Sequence, residues 1–225
     1  MFLIEKLSNN IANKISYPLN LDKDQEEVIA YGVFNLIQTL WCILLVILFG
    51  TIFGVTIKAI VISITIGFLR KYSGGAHSSS PNRCALIGTL VSVGLALVIQ
   101  NAIYGISINV TIIIGIIVFI FAYYSVWKLA PVDSEAKPIT KPEKRRLMRR
   151  NSIYVLIILN LIIIMLTMFY FKFKINLYLS TIFCIYFGIL WQIITLIPKG
   201  HKVLLKIDTF LNNISYTWGG EKNEK

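Results

Sequence analysis

Residues 84–127 read CALIGTLVSVGLALVIQNAIYGISINVTIIIGIIVFIFAYYSVW, 44 residues without one charged side chain. A helix crossing the hydrocarbon core of a bilayer needs about 20 mainly apolar residues, so this run holds two spans. Outward from it, Val28 to Ile57 carries no charge, and Ala59 to Leu69 extends that stretch past Lys58. On the other side, Ser152 to Phe171 and Ile175 to Pro198 supply two more runs, separated by Lys172-Phe173-Lys174. Lipid offers no water to unpaired backbone groups, so such segments must be helical. They lack the alternating polarity of barrel strands. The fold expected is all-α: a polytopic integral membrane protein with about six spans, near 28–50, 54–69, 84–103, 108–127, 152–171 and 175–197. The second is short and holds Lys58, so it reads equally as a tilted or re-entrant segment. The first run is long and lacks a small-residue cleavage site, unlike a cleavable signal peptide.

Composition agrees. Of 225 residues, 56% are hydrophobic and 15% charged, and the mean hydropathy is +0.72. A soluble domain has roughly a quarter of its residues charged. The shortage argues against a soluble enzyme, a disordered chain or a DNA-binding domain, despite the net charge of +11. Nineteen of the 22 Lys and Arg lie in four regions, 1–27, 70–83, 128–150 and 199–225; the others are Lys58, Lys172 and Lys174. Under the positive-inside rule the basic side is cytoplasmic. A cell-membrane protein is expected, one domain over 1–225, with both termini and both long connections facing the cytoplasm. The charge serves topology, and no nucleic-acid partner is needed.

Both flanks carry helical stripes. Phe2, Leu3, Leu7, Ile11 and Ile15 form one, and Val203, Leu204, Ile207, Leu211 and Ile214 the other. Such helices can lie in the headgroup region. They read as anchors, or as one wall of a substrate groove.

The chemistry concentrates in Arg70-Lys71-Tyr72-Ser73-Gly74-Gly75-Ala76-His77-Ser78-Ser79-Ser80-Pro81-Asn82-Arg83-Cys84. Ser80-Pro81 has the form of an N-cap followed by proline at the first helical position. Cys84 then lies in the first helical turn, at the positive end of the dipole, close in sequence to Arg83, Arg70 and Lys71. The nucleophilic form of cysteine is the thiolate. His77 lies seven residues earlier, beyond Pro81, and a loop folded back would let it protonate a leaving amine. Gly74 and Gly75 allow close backbone approach, and their amides or those of the first turn are candidate oxyanion donors. From these residues alone, Cys84 reads equally as a nucleophile or as a small packing residue. Cys42 and Cys184 lie mid-span and read as packing residues, and His201 as a solvated interfacial histidine. No ligand set suggests a metal site, and no disulfide is expected.

Residues 128–150, KLAPVDSEAKPITKPEKRRLMRR, hold eight basic and three acidic side chains. They read as a topology signal that also binds anionic lipid headgroups, or as a cradle for an acidic peptide. Lys137, Lys141, Lys144, Arg145 and Arg146 are the candidates, and Glu143 to Arg150 reads as a helical turn entering the fifth span. The polar residues within the spans, Asn35, Gln38, Gln100, Asn160 and Gln192, are uncharged, which disfavours an ion-coupled transporter. Neither H-E-x-x-H nor G-x-S-x-G is present.

Arg70, Gly74-Gly75-Ala76-His77 and Cys84 together resemble the accessory gene regulator B (AgrB) family of membrane endopeptidases from Gram-positive quorum-sensing systems. Further matches lie at Ala130-Pro131, at Lys137-Pro138-Ile139 and at Ile194-Thr195-Leu196-Ile197-Pro198. The resemblance covers most of the chain and keeps the order of spans. It implies a cysteine endopeptidase acting on an AgrD-type precursor with an amphipathic helix, a central autoinducer and an acidic C-terminal tail. The tail is removed through an acyl-thioester, and the autoinducer closes as a thiolactone or lactone. Carried over, Cys84 is the nucleophile and His77 the base and acid, with Arg70, Gly74 and Gly75 in support. The resemblance also implies a homodimer, and no cofactor is expected. The alternatives are a small transporter or channel and a scaffold without catalysis.

Overall fold

A computed structural model describes residues 3–76, 78, 80–103, 105–133 and 139–219. Among them are eight helices: α1 (Leu3–Ser16), α2 (Lys23–Ile52), α3 (Thr56–Ser73), α4 (Pro81–Ala102), α5 (Ile108–Leu129), α6 (Pro142–Phe173), α7 (Asn176–Leu196) and α8 (Pro198–Gly219). The described residues form no strand; a single parallel bridge joins Gly74 and Val132. The helices confirm an all-α polytopic membrane protein. The chain divides into two compact units, Met1–Leu45 and Val46–Lys225, with α2 running across the boundary.

In the first unit, α1 is the expected amphipathic helix, and α2 begins earlier than the apolar run. The reason is a reciprocal cap: the Gln25 amide donates to Asp22 Oδ1 at 2.7 Å, and the Asp22 amide to Gln25 Oε1 at 3.3 Å. Two otherwise orphaned donors are satisfied this way, so the charged turn Lys23–Glu27 becomes helical.

In the second unit, α7 is the central helix, packed against α3, α4, α5, α6 and α8. Ile182, Ile189 and Ile193 of α7 are fully buried, as are Ile62 and Leu69 of α3, Val126 of α5 and Leu156 of α6. The most extensive contact is between α3 and α7. A Cβ on Gly188 would lie 2.8 Å from the Thr65 Cβ, so only glycine admits this contact. Small residues at such interfaces suit a bundle in lipid, where close packing replaces hydrophobic drive.

α2, α4, α5, α6 and α7 are long and apolar enough to span a bilayer. α3 has 18 residues and carries Lys58, Arg70 and Lys71. It traverses the bundle nonetheless. Near its start the Lys58 ammonium donates to Gln100 near the end of α4, at 3.0 Å, and its other end meets the loop that begins α4. α6 starts at Pro142, ten residues before the expected span, so the connection after α5 is only 130–141 and most of its charge rides on a helix.

Candidate active site

Three chain segments meet at one end of the second unit. α3 closes on Gly74, whose amide donates to the Arg70 carbonyl at 3.0 Å. Gly74 has φ +67° and ψ −148°, a region close to glycine-only, and a Cβ there would lie 2.0 Å from the Val132 carbonyl oxygen. Gly75 has φ +132° and runs against Thr195. The strain is needed because the chain passes between two neighbours. The Val132 amide donates to the Ser73 carbonyl at 2.9 Å, the Gly75 amide to the Val132 carbonyl at 3.3 Å, and the Ala76 amide to the Thr195 carbonyl at 3.1 Å. From α7, buried Gln192 donates its side-chain amide to Ser73 Oγ at 3.0 Å and to the Gly74 carbonyl at 2.8 Å.

These bonds correct one expectation. The Gly74 and Gly75 amides are engaged by Arg70 and Val132, so they are not held ready as oxyanion donors. The two glycines instead let the chain thread past Val132 and Thr195. The two long connections do share one end of the bundle, as the charge count requires.

His77 and Ser79 lie outside the described residues; the residues bracketing His77 do not. Before it, the Ala76 carbonyl accepts from the Arg70 guanidinium. After it, the Ser78 hydroxyl donates to the Asp208 carboxylate. α4 then begins as expected, with Ser80 extended at the N-cap and Pro81 at the first position, although the Ser80 hydroxyl makes no capping bond. The Cys84 amide closes the first turn on the Ser80 carbonyl at 2.9 Å, and the side chain is half-buried. Its neighbour Arg83 donates from Nε to Asp208 Oδ1 at 2.8 Å and from Nη1 to Asn212 Oδ1 at 2.7 Å. One carboxylate on α8 therefore holds both Ser78 and Arg83.

The basic segment is looser. Lys137 lies outside the described residues. Lys141 is the N-cap of α6, and Lys144, Arg145 and Arg146 are exposed on its first turns. Arg145 is tied to Asp133, while the side chains of Lys141, Lys144 and Arg146 make no bond among those described. Arg149, not singled out in the sequence, donates from Nε to the Ala130 carbonyl at 2.7 Å. Cys184 is fully buried in α7, as expected of a packing residue. His201 is not the solvated group expected: its Nε2 is buried and unpartnered among the described residues.

Asp208, Asn212, Gln192 and Thr195 are the residues whose part at this site the sequence reading missed. For Asp208 the signal exists. It stands in register with Leu204 and Leu211, an acid inside an apolar stripe, and is 6% exposed. The inward face of α8 is His201, Leu204, Ile207, Asp208, Leu211 and Asn212, while Val203 faces outward.

A family model described as "Accessory gene regulator B" matches residues 8–196. The chain is 37% identical over 213 residues to an AgrB-like protein of Clostridium perfringens (strain SM101), covering 94% of this chain and all of that one. It is 27% identical to an AgrB-like protein of Halalkalibacterium halodurans over 99% of both chains. It is 26% identical to one of Listeria monocytogenes (strain HCC23), over 81% of this chain and 83% of that one. No solved structure matches.

Proposed function

The chain belongs to the accessory gene regulator B family, and on that premise we propose that it is a membrane cysteine endopeptidase and cyclase. Membership gives it a role in the agr quorum-sensing system, in the membrane and in association with an AgrD-type precursor. The proposed reaction removes the acidic C-terminal tail of that precursor and closes the remainder as a thiolactone or lactone autoinducer. The protein acts as a homodimer, with both termini and the site on the cytoplasmic face of the membrane, where the positive-inside rule puts the basic segments.

Cys84 Sγ attacks the scissile carbonyl carbon. The carbon–nitrogen bond breaks, and the thiol proton passes through His77 to the departing amine, leaving an acyl-thioester on Cys84. The precursor's own thiol or hydroxyl then gives its proton to His77 and attacks the thioester. The ring closes, and Cys84 recovers a proton. Water attacking the same thioester gives a linear product, so the site must hold the internal nucleophile close and keep water out. A thioester is less stable than the amide it replaces, so removal of the released tail draws the reaction forward. Lys137, Lys141, Lys144, Arg145 and Arg146 receive the acidic tail and anionic lipid headgroups.

The observation that supports this reading best is the anchoring around the loop. Arg70 and Thr195 hold Ala76, Asp208 holds Ser78 and Arg83, and half-buried Cys84 follows Arg83 in the first turn of α4. A packing cysteine needs no such frame. The test is tail release from the precursor in membranes. Cys84→Ala and His77→Ala should each lower it by at least about a thousandfold at unchanged protein level. Cys42→Ala and Cys184→Ala should stay within about threefold, as packing residues do. Tail release by Cys84→Ala at the native rate would remove the mechanism.

A further inference from the structure

We propose that Asp208 is a positioning residue, whose carboxylate sets the spacing between the segment carrying His77 and the helix turn carrying Cys84. The proposal rests on the reading of those two residues as the catalytic pair.

Pro81 and six intervening residues separate His77 from Cys84 in the chain, so the two need not share a helix face. A catalytic pair made of them therefore calls for a group that ties the loop to the helix start. The upstream half of the loop is fixed by its own end of the bundle, through Arg70 and Thr195 on Ala76. The downstream half is fixed from α8. Ser78, the residue after His77, and Arg83, the residue before Cys84, both donate to Oδ1 of Asp208. A single oxygen shared by two donors defines a distance between them. Charge-assisted bonds to a carboxylate are short and strong, and Asp208 is buried, so water competes poorly for them.

The placement of α8 is itself constrained. A Cβ on Gly200 would lie 1.8 Å from the Ile194 carbonyl oxygen, so α8 turns tightly off the end of α7. Asn212, one turn after Asp208, takes a second donor of Arg83 and fixes the plane of its guanidinium. No other residue of α8 is acidic. The family-model match ends at residue 196, so this assignment comes from the fold, not from the matched segment.

The rival reading is an ion pair that only docks α8. The two readings differ in what an apolar replacement does. Exchanging a partly buried ion pair for well-packed apolar side chains is often neutral for stability. A docking role would then be preserved, and a positioning role lost.

The experiment uses full-length protein in liposomes with its precursor peptide, and reads kcat, KM, thermal stability and alkylation of Cys84 by iodoacetamide. Asp208→Asn should lower kcat about 10- to 100-fold with KM within about twofold, because a misplacement near 1 Å costs on that order. Asp208→Glu should recover most of the loss, since it restores the charged acceptor. Asp208→Leu/Arg83→Met should melt within about 3 °C of the native protein, yet lose kcat by the same factor. Alkylation of Cys84 should still go to completion in all three, since the thiol is retained and only its proton acceptor is displaced, so a loss of kcat is not a loss of the nucleophile. If Asp208→Asn fails to reach the membrane, Ser78→Ala removes a single hydroxyl and should lower kcat about fivefold.

A folded Asp208→Leu/Arg83→Met protein turning over at the native rate overturns the proposal, as does any kcat for Asp208→Asn at or above native. Cys84→Ala is run in parallel. Tail release without Cys84 sinks the catalytic pair itself, whereas loss of release there with a native Asp208→Asn sinks only the clamp.

Discussion

Between α3 and α4 the chain turns its polar groups inward, whereas from Lys141 into the first turns of α6 it turns its charges outward. The first connection is held at Gly74, Gly75, Ala76 and Ser78 by bonds to Val132, Thr195, Gln192, Arg70 and Asp208. The second leads from exposed Lys141 into exposed Lys144 and Arg146 on the first turns of α6, and its fixed points are Asp133 with Arg145 and Ala130 with Arg149. Both lie at the same end of the bundle, and Val132 joins them. The contrast separates two requirements of peptide processing. Chemistry needs groups held in place before the substrate arrives. Capture of a charged tail needs only a field and tolerates slack.

The largest effect should follow from adding one methyl group to the rigid region. In Gly74→Ala the new Cβ would sit 2.0 Å from the Val132 oxygen at a backbone conformation that L residues avoid. Such strain costs about 1–3 kcal/mol before the clash is counted, so the loop should reopen rather than accept it. Tail release should fall at least about a hundredfold, with protein in the membrane near native level. Gly94→Ala, at a helix position with open space around the glycine, should be native. Equal activity of the two variants would show that the first connection is no more rigid than the second.

Much of this architecture was legible because a bilayer leaves few choices. Charge-free runs had to be helices, and the two basic connections had to share one end of the bundle. What composition could not show is which helix stands in the centre. The membrane stretch of α6 is more apolar than that of α7, yet α7 is the more buried. Lipid is as apolar as leucine, so hydropathy does not rank helices by depth. The centre is marked instead by Gly188, Gln192 and Thr195, which let backbones approach and tie loops down. At the site, Arg70, Gly74, Gly75, His77 and Cys84 could be named because they are neighbours in the chain. Asp208 lies 125 residues from Arg83. Its sequence context shows an acid in an apolar stripe but not what it meets, since spacing along one helix says nothing about a partner on another.

A smaller effect is expected from the outward charges. Lys141→Glu/Lys144→Glu/Arg146→Glu leaves Arg145 with Asp133 and changes only exposed side chains. KM for the native precursor should rise about tenfold at low salt, and the difference should shrink as ionic strength rises, because exposed charges are screened beyond about 10 Å at 0.1 M. kcat should be unchanged. Precursors with Lys in place of acidic tail residues should recover most of the loss. Lipid binding or topology cannot explain a rescue from the substrate side. With topology intact and no rescue, tail recognition belongs elsewhere.

The finest test lies within the basic segment, at two adjacent arginines. Arg145 and Arg146 have the same charge and both are exposed, but Arg145 is bound to Asp133, next to Val132 and hence to the rigid loop. Arg146 faces solvent. If the two connections differ as described, their removal should register in different constants. Arg146→Gln takes away one charge from the field and should raise KM about twofold at constant kcat, since a single exposed charge is worth at most about 1 kcal/mol. Arg145→Gln also loosens Asp133, so the bonds from Val132 to Ser73 and Gly75 lose support, and kcat should fall about twofold. Asp133→Asn should reproduce the kcat effect of Arg145→Gln with little added loss in the double variant, because one contact is broken either way. An additive double variant, or a pure KM effect from Arg145→Gln, would mean that Arg145 belongs with the outward charges and that the boundary between the two regions runs nearer Val132.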